Sequence, residues 1–473
     1  MTYTDFLCLA PFLLLAIAPI VIMIVISVLR NYEVIFSFSI LFFLLAFVSL
    51  FFVSPSAPHS IEPLFIIDIY SLFFLGIIIL SALLITLLSH DYIKQLEGIR
   101  EEYYIILFIA TLGASLLAVA NHFILLFLGI ETLSISLYIL VAFQRSKDSS
   151  IEAGIKYLIL ASVSSAFLLF GMALIYNETG SMQFNRLISL LNSGSALSLP
   201  LVAGFGMMMV GIGFKLALVP FHMWTPDVYQ GAPAPISAYI ATVSKGAVMA
   251  ILIRFFFSIH GFDNKYLFVV ISGIAILSMF VGNLLAIRQK NLKRLLAYSS
   301  IANMGYLLII LLTGSNKGIQ ASVFYLISYF VTIIGAFGVI SLLSTAKYEA
   351  EKIEDYKGLF WKRPGIAIVF TLSLLSLAGI PITAGFIAKF YVIFEGMKAG
   401  LMVLICSMII NSVIGLYYYL RVITTLFSTA NENRLQGLSF TGNMALAIVG
   451  LSILVLGIYP GWLIDIIVKY VTL

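Results

Sequence analysis

Apolar residues run through this chain in blocks of about twenty, set apart by short polar interruptions, and a block of that length crosses the hydrocarbon core of a bilayer as an α-helix. About fourteen blocks are legible, at 5–29, 34–53, 67–88, 103–120, 122–143, 154–177, 198–222, 233–258, 267–287, 293–312, 318–344, 364–396, 400–426 and 440–468. The pattern predicts an all-α polytopic membrane protein with about 14 transmembrane helices. Little chain is left over. The longest non-spanning pieces, 178–197 and 345–363, are each under about 25 residues, too short to fold a flavin- or nucleotide-binding domain of their own.

Composition agrees: 62% hydrophobic and only 10% charged residues exclude a soluble domain with an ordinary charged surface. The first block lacks a basic leader and is longer than a signal-peptide core, so it is expected to be a retained span. Cys8 and Cys406 are isolated thiols in apolar surroundings and read as small buried hydrophobes. The net charge of +5 matters less than its distribution. Taken alternately, one set of connections holds Arg30, Lys94, Arg100, Arg145, Lys147, Arg288, Lys290, Lys293, Arg294, Lys347, Lys352, Lys357, Lys362, Arg363 and Arg434, and the other only Arg186, Lys265, Lys317, Lys398 and Lys469. Basic residues collect on the cytoplasmic side, so both termini are expected outside and the odd-numbered connections in the cytoplasm.

Six basic residues remain within the blocks: Lys156, Lys215, Lys245, Arg254, Lys389 and Arg421. Arg254 and Arg421 lie near block ends and are expected to snorkel to headgroups. Lys156 follows Glu152 by one helical turn, where a surface ion pair and a functional role both fit. Lys215, Lys245 and Lys389 are deeper. An ammonium at mid-bilayer costs roughly 2.5–3.5 kcal/mol on insertion scales, so lysines kept there are expected to face a hydrated interior and to mark an ion or proton path. Glu131, in FILLFLGIETLSISLYILVAF, has about two helical turns on each side, and Glu131 with Lys215 is the natural ion pair, either functional or purely structural. Asp68 and Glu395 sit at block ends and read as interfacial, as do His59, His90, His122 and His260. His222 falls nearer the buried charges, as a cap or as a proton relay.

Two blocks carry signs of interruption. In GIGFKLALVPFHMWTPDVYQGAPAPISAYIATVSKG, Lys215 is followed by Pro220, His222 and Pro226; in SLSLLSLAGIPITAGFIAKFYVIF, Gly379, Pro381 and Gly385 precede Lys389. Proline removes a donor and clashes with the preceding turn, so breaks are expected at Pro220, Pro381 and Gly385, although either alone could be a packing kink. Unwound backbone at membrane depth is tolerated only inside protein or along a wet cavity, and paired breaks are what inverted-repeat transporters show. Lys215 precedes its proline by five residues whereas Lys389 follows Pro381 by eight, so direct alignment does not superpose them.

The segments PFHMWTPDVYQGAPAPISAYIATVSKG, EAGIKYLILASVSSAFLLFGMALIY, RQKNLKRLLAYSSIANMGYLL and AGIPITAGFIAKFYVI together resemble the subunit N family of bacterial NADH:quinone oxidoreductase, respiratory complex I, over essentially the whole chain. More remotely the chain is similar to membrane subunits of multisubunit cation/proton antiporters. The resemblance implies a single membrane domain with helices 1–3 over 1–102, two inverted five-helix repeats over 103–258 and 259–426, and helix 14 over 427–473, with helices 7 and 12 broken. It implies a charged axis in which Glu131 lies on the fifth helix, Lys156 on the sixth, Lys215 on the first broken helix, Lys245 on the eighth and Lys389 on the second broken helix. Asn303, in SSIANMGY, stands where many relatives carry histidine, and an amide cannot exchange protons near neutral pH.

The expected function is that of a proton-translocating membrane subunit of a translocase, with a multisubunit sodium(cation)/proton antiporter as the alternative. No Gly-rich phosphate loop follows a strand and no cysteine cluster suits iron and sulfur, so no cofactor is expected on this chain. By the resemblance, FMN, iron-sulfur clusters and quinone belong to partner subunits. The expected partners are other membrane and hydrophilic subunits, the lipid bilayer of a bacterial inner membrane and protons, with no nucleic acid. A purely structural subunit is disfavoured, because three interior lysines cost about 9 kcal/mol in sum.

Overall fold

Lipid offers no partner to a backbone N–H or C=O, so an apolar block crosses only as a helix that bonds to itself. The computed structural model describes residues 2–96, 98, 100–192, 198–259, 264–345, 348–429 and 440–471. His260, Lys347 and Arg434, assigned above to span ends and loops, lie outside the described residues. In chain order the helices are α1 (Tyr3–Val28), α2 (Tyr32–Val53), α3 (Ile69–Lys94), α4 (Glu102–Ala118), α5 (Phe123–Val141), α6 (Asp148–Thr179), α7 (Phe184–Asn192), α8 (Leu199–Leu216), α9 (Trp224–Gly231), α10 (Ala234–Tyr239), α11 (Lys245–Ser258), α12 (Lys265–Ile287), α13 (Leu292–Leu311), α14 (Asn316–Leu343), α15 (Leu359–Lys362), α16 (Pro364–Ala378), α17 (Ala384–Lys398), α18 (Met402–Leu426), α19 (Phe440–Ile458) and α20 (Gly461–Tyr470). Among the described residues, 12 helices are long and apolar enough to cross a membrane, taking α10 and α11 as one, and the shorter apolar helices α4 and α16 fall in the fourth and twelfth blocks.

Polar residues at the block edges set the helix starts. Thr2 and Asp5 box the first turn of α1, Asp68 and Ser71 that of α3, and Asn264, Asn291 and Ser315 accept from first-turn amides of α12, α13 and α14. Gly180 ends α6 with φ 64, the left-handed cap glycine provides without strain. Three features differ from the block pattern. Helix α6 starts at Asp148 instead of 154, its first turns being polar and outside the apolar run. The last block is cut at Pro460, which opens α20. Between α2 and α3 a hairpin of β1 (His59–Ile61) and β2 (Phe65–Ile67) pairs His59 with Ile67, in strands too short to leave an alternating signal.

Residues 231–254 are buried without interruption, so α10 and α11 form the centre, packed against α3, α4 and α14. Residues Ile240–Ser244 between them form a π-helical turn. Outward-facing apolar side chains, such as Ile24 of α1, Phe170 of α6 and Val413 of α18, suit contact with lipid tails. Helices approach closely where glycines face: a Cβ on Gly171 of α6 would lie 2.6 Å from the Gly204 carbonyl oxygen of α8, and one on Gly282 of α12 2.7 Å from the Ala302 nitrogen of α13. Small residues at crossings give membrane bundles the van der Waals contact that replaces a hydrophobic driving force.

Several edge charges turn inward, against the interfacial expectation. Arg254 does not snorkel: it is buried, bonds Asp68 at 2.8 Å and lies over the Tyr70 ring at 4.9 Å. Arg421 donates to the carbonyls of Ile287 and Gln289 at 2.8 and 2.6 Å, closing the end of α12. Glu395 is buried beside Lys398 at 3.0 Å, and His90 is buried in α3 against Glu33 and Asp91. In each case a protein partner replaces the headgroup. Cys8 is buried, whereas Cys406 is exposed on α18, so the buried reading fails for the second thiol.

Candidate functional site

The first break is built by α8, which ends at Leu216; Ala217 takes the left-handed conformation with φ 59, and the chain passes Pro220 before α9 begins at Trp224. Backbone groups freed by the break find side chains. Trp224 Nε1 donates to the Phe214 carbonyl at 3.0 Å, and the Val219 N–H donates to Ser278 Oγ of α12 at 3.0 Å. Lys215, in the last turn of α8, is buried; its ammonium donates to Ser134 Oγ of α5 at 2.6 Å and lies 5.4 Å from the centre of the Tyr157 ring. Tyr157 is stacked on Trp224 at 4.7 Å, so the cation faces a fixed aromatic surface.

Glu131 and Lys215 do not form the direct pair expected. Glu131 accepts the Ser165 hydroxyl of α6, while Lys215 bonds Ser134, one turn further along α5. The carboxylate still bears on the lysine electrostatically, across that turn.

Lys245 begins α11 directly after the π-helical turn and is fully buried. Its ammonium donates to Ser300 Oγ of α13 at 2.7 Å and lies 5.9 Å from the Tyr229 ring centre. Ser300 is itself hydrogen-bonded to the Tyr329 hydroxyl of α14 at 2.6 Å.

The second break explains the offset between the lysines. Helix α16 ends at Ala378, Gly379 and Ile382 have φ 83 and 75, and α17 starts at Ala384. Lys389 belongs to α17 but reaches back: Nζ donates to the carbonyls of Leu377 and Ala378 at 2.9 and 3.0 Å and to Ser412 Oγ at 3.0 Å. An ammonium there satisfies carbonyls that the break orphans and complements the negative end of the half-helix. Lys215 rides on the half-helix before its break and bonds across to α5, whereas Lys389 rides on the half after its break and folds back onto the end of the first. Gly385 N–H donates to Ser376 Oγ at 2.9 Å, which pairs with Thr332 Oγ1 of α14 at 3.0 Å.

Beside Lys389 lies a small cavity of ≈ 10 Å³, lined in part by Asn303, Tyr325, Ser328, Tyr329 and Thr332. Asn303 is held at both ends, accepting from Tyr325 OH at 2.6 Å and donating to the Ser299 carbonyl at 2.8 Å. Among the described residues, four buried polar atoms near the breaks and the three lysines have no hydrogen-bond partner: His222 Nδ1, Thr225 Oγ1, Tyr229 OH and Ser328 Oγ. Unpartnered polar atoms beside buried cations are where ordered water is held. His222 is buried beside the first break; its Nδ1 has no partner while its ring meets the backbone of Pro220, a placement that singles out neither the cap nor the relay.

Lys156 is placed elsewhere. It is 45% exposed and pairs with Glu152 at 2.7 Å and Asp227 at 3.1 Å, off the buried row. Asp227 also holds Arg294 at 2.6 Å, and Lys293, fully buried, donates to the Ala232 carbonyl at 2.5 Å and to Glu349 at 2.7 Å. The DVYQGAP and LKRLLAYSSI segments are thus bound to each other. Lys293 opens its apolar block and so reads as a loop residue in the sequence; only tertiary packing reveals its burial.

A helical bundle interrupted twice, with three lysines buried among neutral partners, defines an antiporter-like membrane subunit. Residues 120–415 match the family described as NADH:quinone oxidoreductase/Mrp antiporter, transmembrane, and the chain belongs to that family. It is 42% identical to NADH-quinone oxidoreductase subunit N of Ectopseudomonas mendocina (strain ymp), over 98% of this chain and 96% of that protein. Among solved structures, a chain of respiratory complex I from Thermus thermophilus superposes with TM-score 0.83 at 32% identity, over 96% of this chain and 98% of that one. A chain of the Mrp complex from Dietzia sp. DQ12-45-1b superposes with TM-score 0.85 at 20% identity, over 98% and 96%, a likeness of fold alone.

Proposed function

We propose that this chain is a proton-translocating membrane subunit of a bacterial type I NADH:quinone oxidoreductase, set in the inner membrane. The observation that carries the reading is the row of Lys215, Lys245 and Lys389, each buried and hydrogen-bonded to serine hydroxyls or backbone carbonyls, two of them at breaks in their helices. A lysine so placed titrates usefully, because its neutral partners accept from the ammonium without locking it as a carboxylate would. Glu131 is the acidic group that tunes Lys215, Lys245 the central relay and Lys389 the terminal exchange site. Lys156 acts from the rim, and His222 and Asn303 flank the row.

NADH oxidation and quinone reduction occur on partner subunits that hold FMN and iron-sulfur clusters, and this chain contributes proton transfer alone. The row is carried by two inverted repeats, over 103–258 and 259–426. Their support is the common construction of the breaks: each first half ends in a left-handed residue, Ala217 or Gly379, followed shortly by Pro220 or Pro381. Both termini face outside. The 42% likeness to a subunit N, against 20% for the Mrp chain, favours this reading over a cation/proton antiporter.

Purification through a tag on this chain, followed by reconstitution into vesicles, tests the assignment. Flavin and iron-sulfur signals with NADH-driven proton uptake are expected. Sodium-driven proton movement by the chain alone, without those signals, would contradict it.

A further inference from the structure

Among the described residues no charged group bridges Lys245 and Lys389, but two hydroxyls lie between them. An ammonium has protons to give and no lone pair, so Ser300 Oγ accepts from Lys245 at 2.7 Å and must turn its own proton elsewhere. Tyr329 OH stands 2.6 Å from Ser300 Oγ on the other side. With the Ser300 proton aimed at the phenol oxygen, the Tyr329 proton points onward, and Tyr329 lines the cavity that also holds Lys389. The cavity, at ≈ 10 Å³, has room for about one water. Ser328 Oγ, buried without a partner, opens on the same space and can hold that water in place. Asn303 borders it too, but both ends of its amide are engaged and an amide does not carry protons near neutral pH.

We propose that Ser300 and Tyr329 are relay residues that carry a proton from Lys245 to the cavity of Lys389, while Asn303 serves only to position Tyr325 and Ser299. The proposal rests on the lysines being proton sites. In one transfer an N–H bond of Lys245 breaks and its proton bonds to Ser300 Oγ. The original Ser300 proton passes to Tyr329, the Tyr329 proton to the cavity water, and a water proton to the lone pair of a neutral Lys389 amine. One proton leaves Lys245 and one arrives at Lys389. Each oxygen ends with the number of protons it began with, its hydroxyl turned round, so the chain must rotate back before the next transfer.

The test uses the assembled complex in vesicles, with proton uptake and NADH:quinone electron transfer measured on one preparation and complex abundance measured separately. Tyr329→Phe removes the hydroxyl and keeps the ring; Ser300→Ala removes the hydroxyl and Ser300→Thr restores one. Proton uptake per NADH oxidised should fall by at least about tenfold in Tyr329→Phe and Ser300→Ala, a threshold set below the roughly hundredfold that losing a proton-transfer group costs at the low end, and Ser300→Thr should retain it. A merely structural role would lower uptake and electron transfer together and would not separate alanine from threonine. Wild-type uptake in assembled Tyr329→Phe or Ser300→Ala overturns the bridge. Lys389→Ala in the same assay separates the two failures: if it also pumps normally the lysine reading falls, and if it alone loses uptake only the bridge does. Should Tyr329→Phe not assemble, the Ser300 pair decides.

Discussion

Lys215, Lys245 and Lys389 are each anchored by oxygens that carry no charge, and Glu131 acts on Lys215 across a helical turn. That geometry alters what a substitution at Glu131 tests. Glu131→Gln preserves the bond from Ser165 and deletes the charge that Lys215 senses, so an assembled complex should lose coupled proton uptake by about tenfold, equivalent to ~1.4 kcal/mol, whereas Glu131→Asp should retain part of it. Unchanged uptake with glutamine would remove the carboxylate from the mechanism. Depth alone made Lys215, Lys245 and Lys389 legible in the sequence, because a cation far from both ends of an apolar block has no cheap explanation. Their partners were not legible. Ser134, Ser300 and Ser412 look like any other membrane serine until the fold brings them to an ammonium, and Asp68, the partner of Arg254, lies 186 positions away.

The breaks are where element geometry becomes chemistry. Gly379 is needed twice: its φ of 83 is unfavourable for a side chain, and a Cβ there would approach Lys389 Cδ to 2.8 Å. Gly379→Ala should therefore lower the thermal stability of the complex, by at least the ~1 kcal/mol such backbone strain costs, and reduce proton uptake by displacing the lysine. Full stability with full uptake would show that the break tolerates a side chain. Proline and glycine announced both interruptions in the sequence, since neither suits a helix interior. The direction in which Lys389 folds back was hidden, because it depends on carbonyls that exist only once α16 stops at Ala378. The π-helical turn before Lys245 also left no signal, IATVS being as apolar as its surroundings.

At the scale of the molecule, the apolar blocks foretold the bundle closely, while the charges at their edges misled wherever two elements buried them together, as with Arg254 and Lys293. Sidedness is testable by single-cysteine labelling in intact cells: a cysteine replacing Lys352, exposed between α14 and α15, should resist a membrane-impermeant reagent applied from outside. Strong labelling would reverse the topology. The contacts between the DVYQGAP and LKRLLAYSSI segments also predict a division of labour. Arg294→Ala, which frees Asp227 from one of its two cations, should reduce the abundance of intact complex more than the protons moved per NADH in what assembles. A lower proton ratio with normal abundance would place Arg294 in the path itself.

The central claim, that the buried lysines gain and lose protons instead of merely supplying charge, is tested most directly at Lys389. Arginine keeps the charge and nearly the length but is never deprotonated, and glutamate reverses the sign yet still titrates. NADH-driven proton uptake in vesicles, corrected for the amount of intact complex, should be lost in Lys389→Arg and Lys389→Ala and partly recovered in Lys389→Glu. Full uptake by Lys389→Arg would contradict the account and leave Lys389 as an electrostatic anchor for the end of α16.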